Sequence, residues 1–312
     1  MKVSKVFSKD FIETAEGLVF AVVAHGFEQG KVLCFLRYIL QANAWQKIAT
    51  DAANEFLQQQ YPDYLHYSPI LDCNLHAVCT DGIVKHHQPK IRLQTLLIAT
   101  PADSVEEDLL QLCQLFKEHG LDLTQLGITG SVLIGVQNPG SDIDLVCYDR
   151  EVFHQCRAIT ELLIQHNKLQ GLNDQDWQQS YQRRSCALSF EDYVWHEQRK
   201  CNKAVINGRK FDLNFINCSS DLKPVNYQKI GPVTVQCKVI NDYYGFDYPA
   251  KFEIDLPQIG YVVSFTATYT GQALCGETIE VSGILEHSAH GEKHIVVGSS
   301  REAPGEYIKV LK

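Results

Sequence analysis

The sequence predicts a multidomain α+β protein, on three observations: two β-rich runs near its start, helical spacing of apolar residues in its middle, and a glycine-rich series of short apolar runs toward its end. At 312 residues the chain exceeds one ordinary domain, and 45% hydrophobic with 21% charged residues is a globular balance without a disordered block. The changes of texture suggest an α+β domain over 1–100, a second domain of mixed strands and helices over 101–222, and a small β-barrel or sandwich over 223–312.

The first domain opens with Gly17–Ala24 and Lys31–Tyr38, joined by the polar, glycine-containing segment 25–30, which reads as a hairpin. Thr50 is placed to cap a helix running to about Gln60, and Pro62 helps to end it. The segments 64–79 and 90–100 look strand-like. In the second domain Ser104 and Glu107 form a capping box ahead of Val105, Leu109, Leu112 and Phe116, and Gly120 closes that helix. Further helices are expected around 151–168 and 186–201. Beyond Pro224, nine of the 20 glycines fall between Gly231 and Gly305 among short apolar runs, which suggests closely turned strands. The joint is expected at the polar stretch 221–228.

A formal net charge of -9 disfavours broad duplex nucleic-acid binding, because phosphate backbones are held by lysine and arginine. An odd count of 11 cysteines, with no apolar leader in the first ten residues, points to reduced thiols and a cytoplasmic location. No apolar run approaches the length needed to span a bilayer.

The chemistry concentrates in Leu126–Tyr148, which reads as strand, glycine turn, short helix, turn and strand. Gly130 permits close backbone approach, and Ser131 opens the short helix with its hydroxyl and free N–H groups toward an anion. Asp142 and Asp144 are expected to share one face of the following strand while Ile143, Leu145 and Cys147 enter the core. Two aspartates on one face repel unless a cation joins them, and Mg²⁺ is the natural candidate. In 208–216, Phe211, Leu213 and Phe215 read as the core face of another strand, leaving Asp212 opposite. Arg199, Lys200, Lys203, Arg209 and Lys210 precede Asp212 and offer positive charge for phosphate, with Arg183 and Arg184 as a second pair.

Gly130-Ser131, Asp142-x-Asp144 and the later isolated Asp212 resemble the motifs of polymerase-β-type nucleotidyltransferases over roughly residues 104–218. The whole chain also resembles a group of predicted, chiefly archaeal, nucleotidyltransferases, partly through the segments 249–254 and 296–310. The resemblance implies a nucleotidyltransferase fold for the central domain and two Mg²⁺ (or Mn²⁺) ions held by Asp142, Asp144 and Asp212. It further implies an NTP such as ATP bound at Gly130 and Ser131 with help from Arg199, Lys200 and Lys210, and Asp212 beside the attacking hydroxyl. The acceptor is left open among an RNA end, a protein hydroxyl and a small molecule. The alternative is a non-catalytic nucleotide sensor, or a single-strand binder stacking bases on Tyr243, Tyr244, Phe246 and Tyr248.

Outside the motif, Cys73, His76 and Cys79 hold zinc-ligand residue types at a spacing that fits no common finger, and read as a buried reduced cluster. His287, His290 and His294 are expected to flank a surface hairpin turn.

Overall fold

The computed structural model describes residues 5–69, 73–184, 186–218, 227–288, 290–299 and 303–312. The chain is mixed α+β and forms two compact units, Met1–Cys156 with Ile206–Leu222, and Arg157–Val205 with Lys223–Lys312. Residues 221–226 of the expected joint lie outside the described residues.

The first unit begins with β1 (Phe11–Thr14), β2 (Leu18–Val22), β3 (Lys31–Gln41), β4 (Ala44–Lys47), α1 (Thr50–Gln60), β5 (Leu65–Ser68), β6 (Cys73–Cys79) and β7 (Ile83–His87). These strands form one sheet in the order β5-β6-β3-β2-β1-β7, with β4 paired to β3. Strand alternation buries both faces. Leu18, Phe20 and Val22 pack on one side with Ala53 and Leu57 of α1, while Phe11, Val19 and Tyr38 pack on the other side against Leu133.

Next come α2 (Pro89–Leu96), α3 (Ser104–Glu118), β8 (Leu126–Ile128), α4 (Gly130–Ile134) and β9 (Ile143–Cys147). The strand-like reading of 90–100 is corrected here. Pro89 sits in the first helical turn, where its missing N–H is harmless, and Pro89, Leu93 and Leu96 make one buried helical face. Gly127 lets that helix approach β8, because a Cβ there would lie 2.7 Å from the Pro89 carbonyl carbon. The cap of α3 lies one residue earlier than expected: the Asp103 side chain accepts from the Val105 and Glu106 N–H groups, and Glu106 reaches back to the Ala102 N–H at 2.9 Å.

The chain continues through α5 (Arg150–Gln165), α6 (Asp174–Arg184), α7 (Phe190–Gln198) and β10 (Lys203–Ile206) to β11 (Arg209–Phe215). Between β10 and β11, Asn207 and Gly208 adopt positive φ values of 49° and 82°, the backbone of a tight hairpin turn. Within the first unit β11 runs parallel to β9, and β9 runs antiparallel to β8.

The second unit is built on β12 (Tyr227–Asn241), β13 (Ala250–Leu256), β14 (Ile259–Ser264), β15 (Thr278–Ser288), β16 (Lys293–Val297) and β17 (Tyr307–Val310). Pairing runs β12-β13-β14-β16-β15 and returns from β15 to β12, closing a five-stranded barrel; β17 adds to the free half of one β15 edge. Val239, Phe252, Val262, Ile279, Val281 and Ile295 fill it, and Trp177, Leu188 and Tyr193 from the helical segment pack on that core. Helix α6 was absent from the sequence expectation, since its strongly polar sequence shows little apolar periodicity and buries only Trp177 and Ser180.

The Cys73/His76/Cys79 pattern assembles no site. On a strand, residues three apart point to opposite faces; His76 is buried, its Nδ1 accepts from the Leu36 N–H at 2.9 Å, and its Nε2 meets Asn54 Oδ1 at 2.8 Å. Cys79 is exposed, so the three are not a buried cluster. His287 and Lys293 are paired where β15 turns into β16, and His294 is buried there beside Glu286 at 3.2 Å.

Candidate active site

Parallel pairing of β9 and β11 puts Asp212 directly opposite Asp144, with Phe211 opposite Ile143 and Leu213 opposite Leu145. Ile143, Leu145, Phe211 and Leu213 are buried, so alternation leaves the two aspartates as neighbours on the other face. Asp144 and Asp212 are half-buried. Asp142 lies one residue before β9 and is exposed, where an in-strand position had been expected.

Gly130 completes the cradle. Its φ is +67°, and a Cβ placed on it would sit 2.4 Å from Asp144 Oδ2, so the carboxylate lies against the glycine turn. Thr129, just before it, donates its N–H to the Asp144 carbonyl at 2.9 Å and its hydroxyl to the Lys9 carbonyl at 2.8 Å. Ser131 lies in the first turn of α4, which ends at Gly135 in the left-handed conformation. That helix is held by Leu133 in the apolar cluster with Phe11, Val19 and Tyr38, and by Arg92, whose Nε donates to the Val132 carbonyl at 3.0 Å.

Electrostatics mark Asp144. Its carboxyl is pushed up to about 6, first by desolvation and then by the charges of Asp212 and Asp142, against lowering by Lys9 and Lys47. Tyr38 is raised by burial, opposed by Arg37 and reinforced by Asp144. Among the described residues no three His, Cys, Asp or Glu side chains are gathered closely enough to hold a metal ion. The donor set is nonetheless all carboxylate oxygen, the hard ligand type that Mg²⁺ and Mn²⁺ take, and Asp144 is held desolvated in register with Asp212. These residues therefore fit a divalent cation through Asp144 and Asp212, with Asp142 on the adjoining loop.

Arg209 ties that loop down. Its Nε donates to Asp108 Oδ2 at 2.7 Å, and its Nη1 donates to the Pro139 and Ser141 carbonyls at 2.9 and 2.7 Å. Asp108 also accepts from Asn207 Nδ2 at 2.8 Å. Arg209→Ala is expected to destabilise the protein by about 3 kcal/mol, because it removes the charged partner of a largely buried Asp108 carboxylate and leaves it only the Asn207 amide. Urea unfolding with hydrogen exchange at 139–142 checks this; a change under about 0.5 kcal/mol means the loop is held elsewhere.

The remaining cations are placed differently. Lys210 is half-buried on β11, on the strand face shared by Asp212. Arg199 and Lys200 belong to the second unit. Arg199 pairs with Glu277 and stacks over Trp195 at 4.5 Å. Lys200 is buried, pairs with Glu197 and donates to the Thr268 carbonyl at 2.6 Å; Lys203 also pairs with Glu197. Burial lowers Lys200 to about 8. Arg183 and Arg184 end α6. Cys147 is buried on the core side of β9, as expected. Lys9, Lys47, Thr129 and Tyr38 were not singled out from the sequence; only Thr129 carried a signal there, its place beside Gly130.

Residues 109–210 match the nucleotidyltransferase domain family. Over nearly its whole length the chain is similar to the uncharacterized protein MJ1086 of Methanocaldococcus jannaschii, with 32% identity over 339 aligned positions that cover 99% of this chain and 100% of that protein. No solved structure matches. The matched domain holds Gly130, Ser131, Asp142 and Asp144 and stops two residues before Asp212, which is brought to them by strand register. With the glycine turn, the paired carboxylates and the domain match together, the chain belongs to the polymerase-β-type nucleotidyltransferases, in a family shared along its full length with the archaeal protein.

Proposed function

We propose that the protein transfers a nucleoside monophosphate from an NTP to a hydroxyl acceptor, with Asp142, Asp144 and Asp212 as its acidic centre. The observation that carries this reading is the register of Asp212 opposite Asp144, on the same carboxylate that Gly130 accommodates. A pure binding site gains nothing from gathering like charges, which repel in a partly desolvated setting.

In this reading the carboxylates hold two divalent ions, Mg²⁺ or Mn²⁺, whose chemistry is to polarise the α-phosphate and offset charge on the attacking and leaving oxygens. Gly130 and Ser131 receive phosphate oxygens at the turn, and Lys210 adds charge from the Asp212 face. Arg199 and Lys200 are left out of the phosphate site because Glu277 and Glu197 already engage them. Asp212 takes the proton of the acceptor hydroxyl as its oxygen bonds to the α-phosphorus; the bond to the bridging oxygen breaks and pyrophosphate leaves.

Incubation with each NTP, Mg²⁺ and a pooled set of RNA ends, proteins and small alcohols tests this by pyrophosphate release. Release from the intact protein and none from Asp212→Ala supports it; equal release from both refutes it. Mg²⁺ or Mn²⁺ is also expected to raise the melting temperature of the wild type and not that of the Asp142→Ala/Asp144→Ala variant, as read by thermal shift.

A second reading is favoured by Tyr243, Tyr244 and Tyr248, which are 58%, 40% and 44% exposed between β12 and β13. Such rings suit stacking on a single strand. Tight single-strand binding without any pyrophosphate release favours that reading over transfer.

A further inference from the structure

We propose that Lys9, in the turn before β1, and Lys47, on β4 of the N-terminal sheet, hold the polyphosphate tail of the nucleotide. This makes that sheet one wall of the substrate site. The proposal rests on the nucleotidyltransferase reading above and adds the residues that grip the leaving group.

Three observations converge on these lysines. Lys9 has its backbone at φ +74°, an unfavourable conformation for a residue with a Cβ. It is held there by two hydrogen bonds, from its own N–H to the Val22 carbonyl at 2.9 Å and to its carbonyl from the Thr129 hydroxyl at 2.8 Å. Thr129 is the residue before Gly130 and also donates to the Asp144 backbone, so Lys9 is fastened to the turn that accommodates the Asp144 carboxylate.

Lys47 ends β4. It is the register partner of Tyr38, and it shares a strand face with Trp45. Tyr38 and Trp45 both pack in the cluster that contains Leu133 of α4, with Ile134 packed beside them, so this face of the sheet is the one applied to the Gly130–Ile134 helix. Lys9 and Lys47 are exposed.

The chemistry requires such groups. Three carboxylates and a triphosphate form a strongly anionic assembly that divalent ions only partly offset, and the departing pyrophosphate carries most of the developing charge. A lysine ammonium on a flexible stem is a compact point charge suited to following phosphate oxygens as they move away. Exposed lysines on a sheet edge are commonly mere solvated charge. Here, however, one is fixed in a strained backbone against the glycine turn, and the other extends from a face that is otherwise packed against α4.

Isothermal titration of the full chain with Mg²⁺ tests the proposal, using an NTP, the corresponding NMP and inorganic pyrophosphate as separate probes. Lys9→Gly removes the charge and suits the positive φ, and Lys47→Ala removes the other charge from an exposed position. Each is expected to weaken NTP and pyrophosphate binding about tenfold, with NMP affinity unchanged, melting temperature not lowered and Lys9→Arg close to wild type. NTP affinity equal to wild type in the double variant overturns the proposal and leaves the nucleotidyltransferase reading standing. An equal loss of NMP affinity also overturns it, because the change is then one of local structure. A wild-type protein that binds none of the three probes overturns the reading on which it rests.

Discussion

Asp144→Asn is expected to reduce nucleotidyl transfer by about a thousandfold or more while leaving the fold intact, since it removes a carboxylate from the proposed metal centre without changing volume. The same substitution is expected to stabilise the metal-free protein near neutral pH. In the folded chain Asp144 is pushed up to about 6 from an ordinary 3.8 by desolvation and by Asp212, so its ionised form is disfavoured by folding. A raised carboxyl contributes stability that is complete below the unfolded pKa and is lost as pH rises through the folded one. With EDTA present, the wild type should therefore lose up to about 3 kcal/mol between pH 4 and pH 6, at roughly 1.4 kcal/mol per pKa unit. Asp144→Asn should lack that component. Urea melts across this range check the sign; a wild type that gains stability relative to the variant as pH rises contradicts the desolvated, repelled carboxylate.

Gly130→Ala is expected to be comparably severe for a different reason. The added methyl meets Asp144 Oδ2 at 2.4 Å, and the residue must keep φ at +67° or give up the turn. Backbone strain alone costs about 1–2 kcal/mol, and displacing the carboxylate by about 1 Å is enough to cost about a hundredfold in rate. A melting temperature within a degree of wild type together with full activity means that the turn and carboxylate separate freely. Gly135→Ala is a useful comparison, because Gly135 also has positive φ, +73°, but a Cβ there meets nothing. It should therefore carry the stability cost without the loss of rate.

Much of the site was legible because strand alternation is a local rule. Phe211, Leu213 and Phe215 announced a core face, and Asp212 followed as its opposite. The pairing of Asp212 with Asp144 was not legible in the same way, since parallel register between distant strands is set by packing and not by neighbours in sequence. Lys9 and Lys47 were invisible for the same reason: nothing near either residue mentions the glycine turn that the N-terminal sheet packs against. The segment 90–100 misled because its aliphatic residues suit strand and helix alike, and the deciding signal was Pro89 at the helix start. The closing of β12 onto β15 turned the glycine-spaced runs of the last region into a barrel, where spacing alone had left a sandwich equally open. The basic run leading to Asp212 looked like one phosphate-binding strip. In the structure it divides, with Arg199, Lys200 and Lys203 satisfying carboxylates and Arg209 fastening a loop.

Asp144 and Asp212, from two strands, are proposed to act as one cation-binding centre. Mn²⁺ binding followed by electron paramagnetic resonance on the wild type, Asp144→Asn and Asp212→Asn tests it most directly, without knowledge of the nucleotide or the acceptor. Both substitutions are expected to weaken Mn²⁺ binding at least tenfold, with the double variant losing less than the sum of the two single losses because the pair acts together. Wild-type Mn²⁺ affinity in Asp212→Asn means that the two carboxylates do not share a cation.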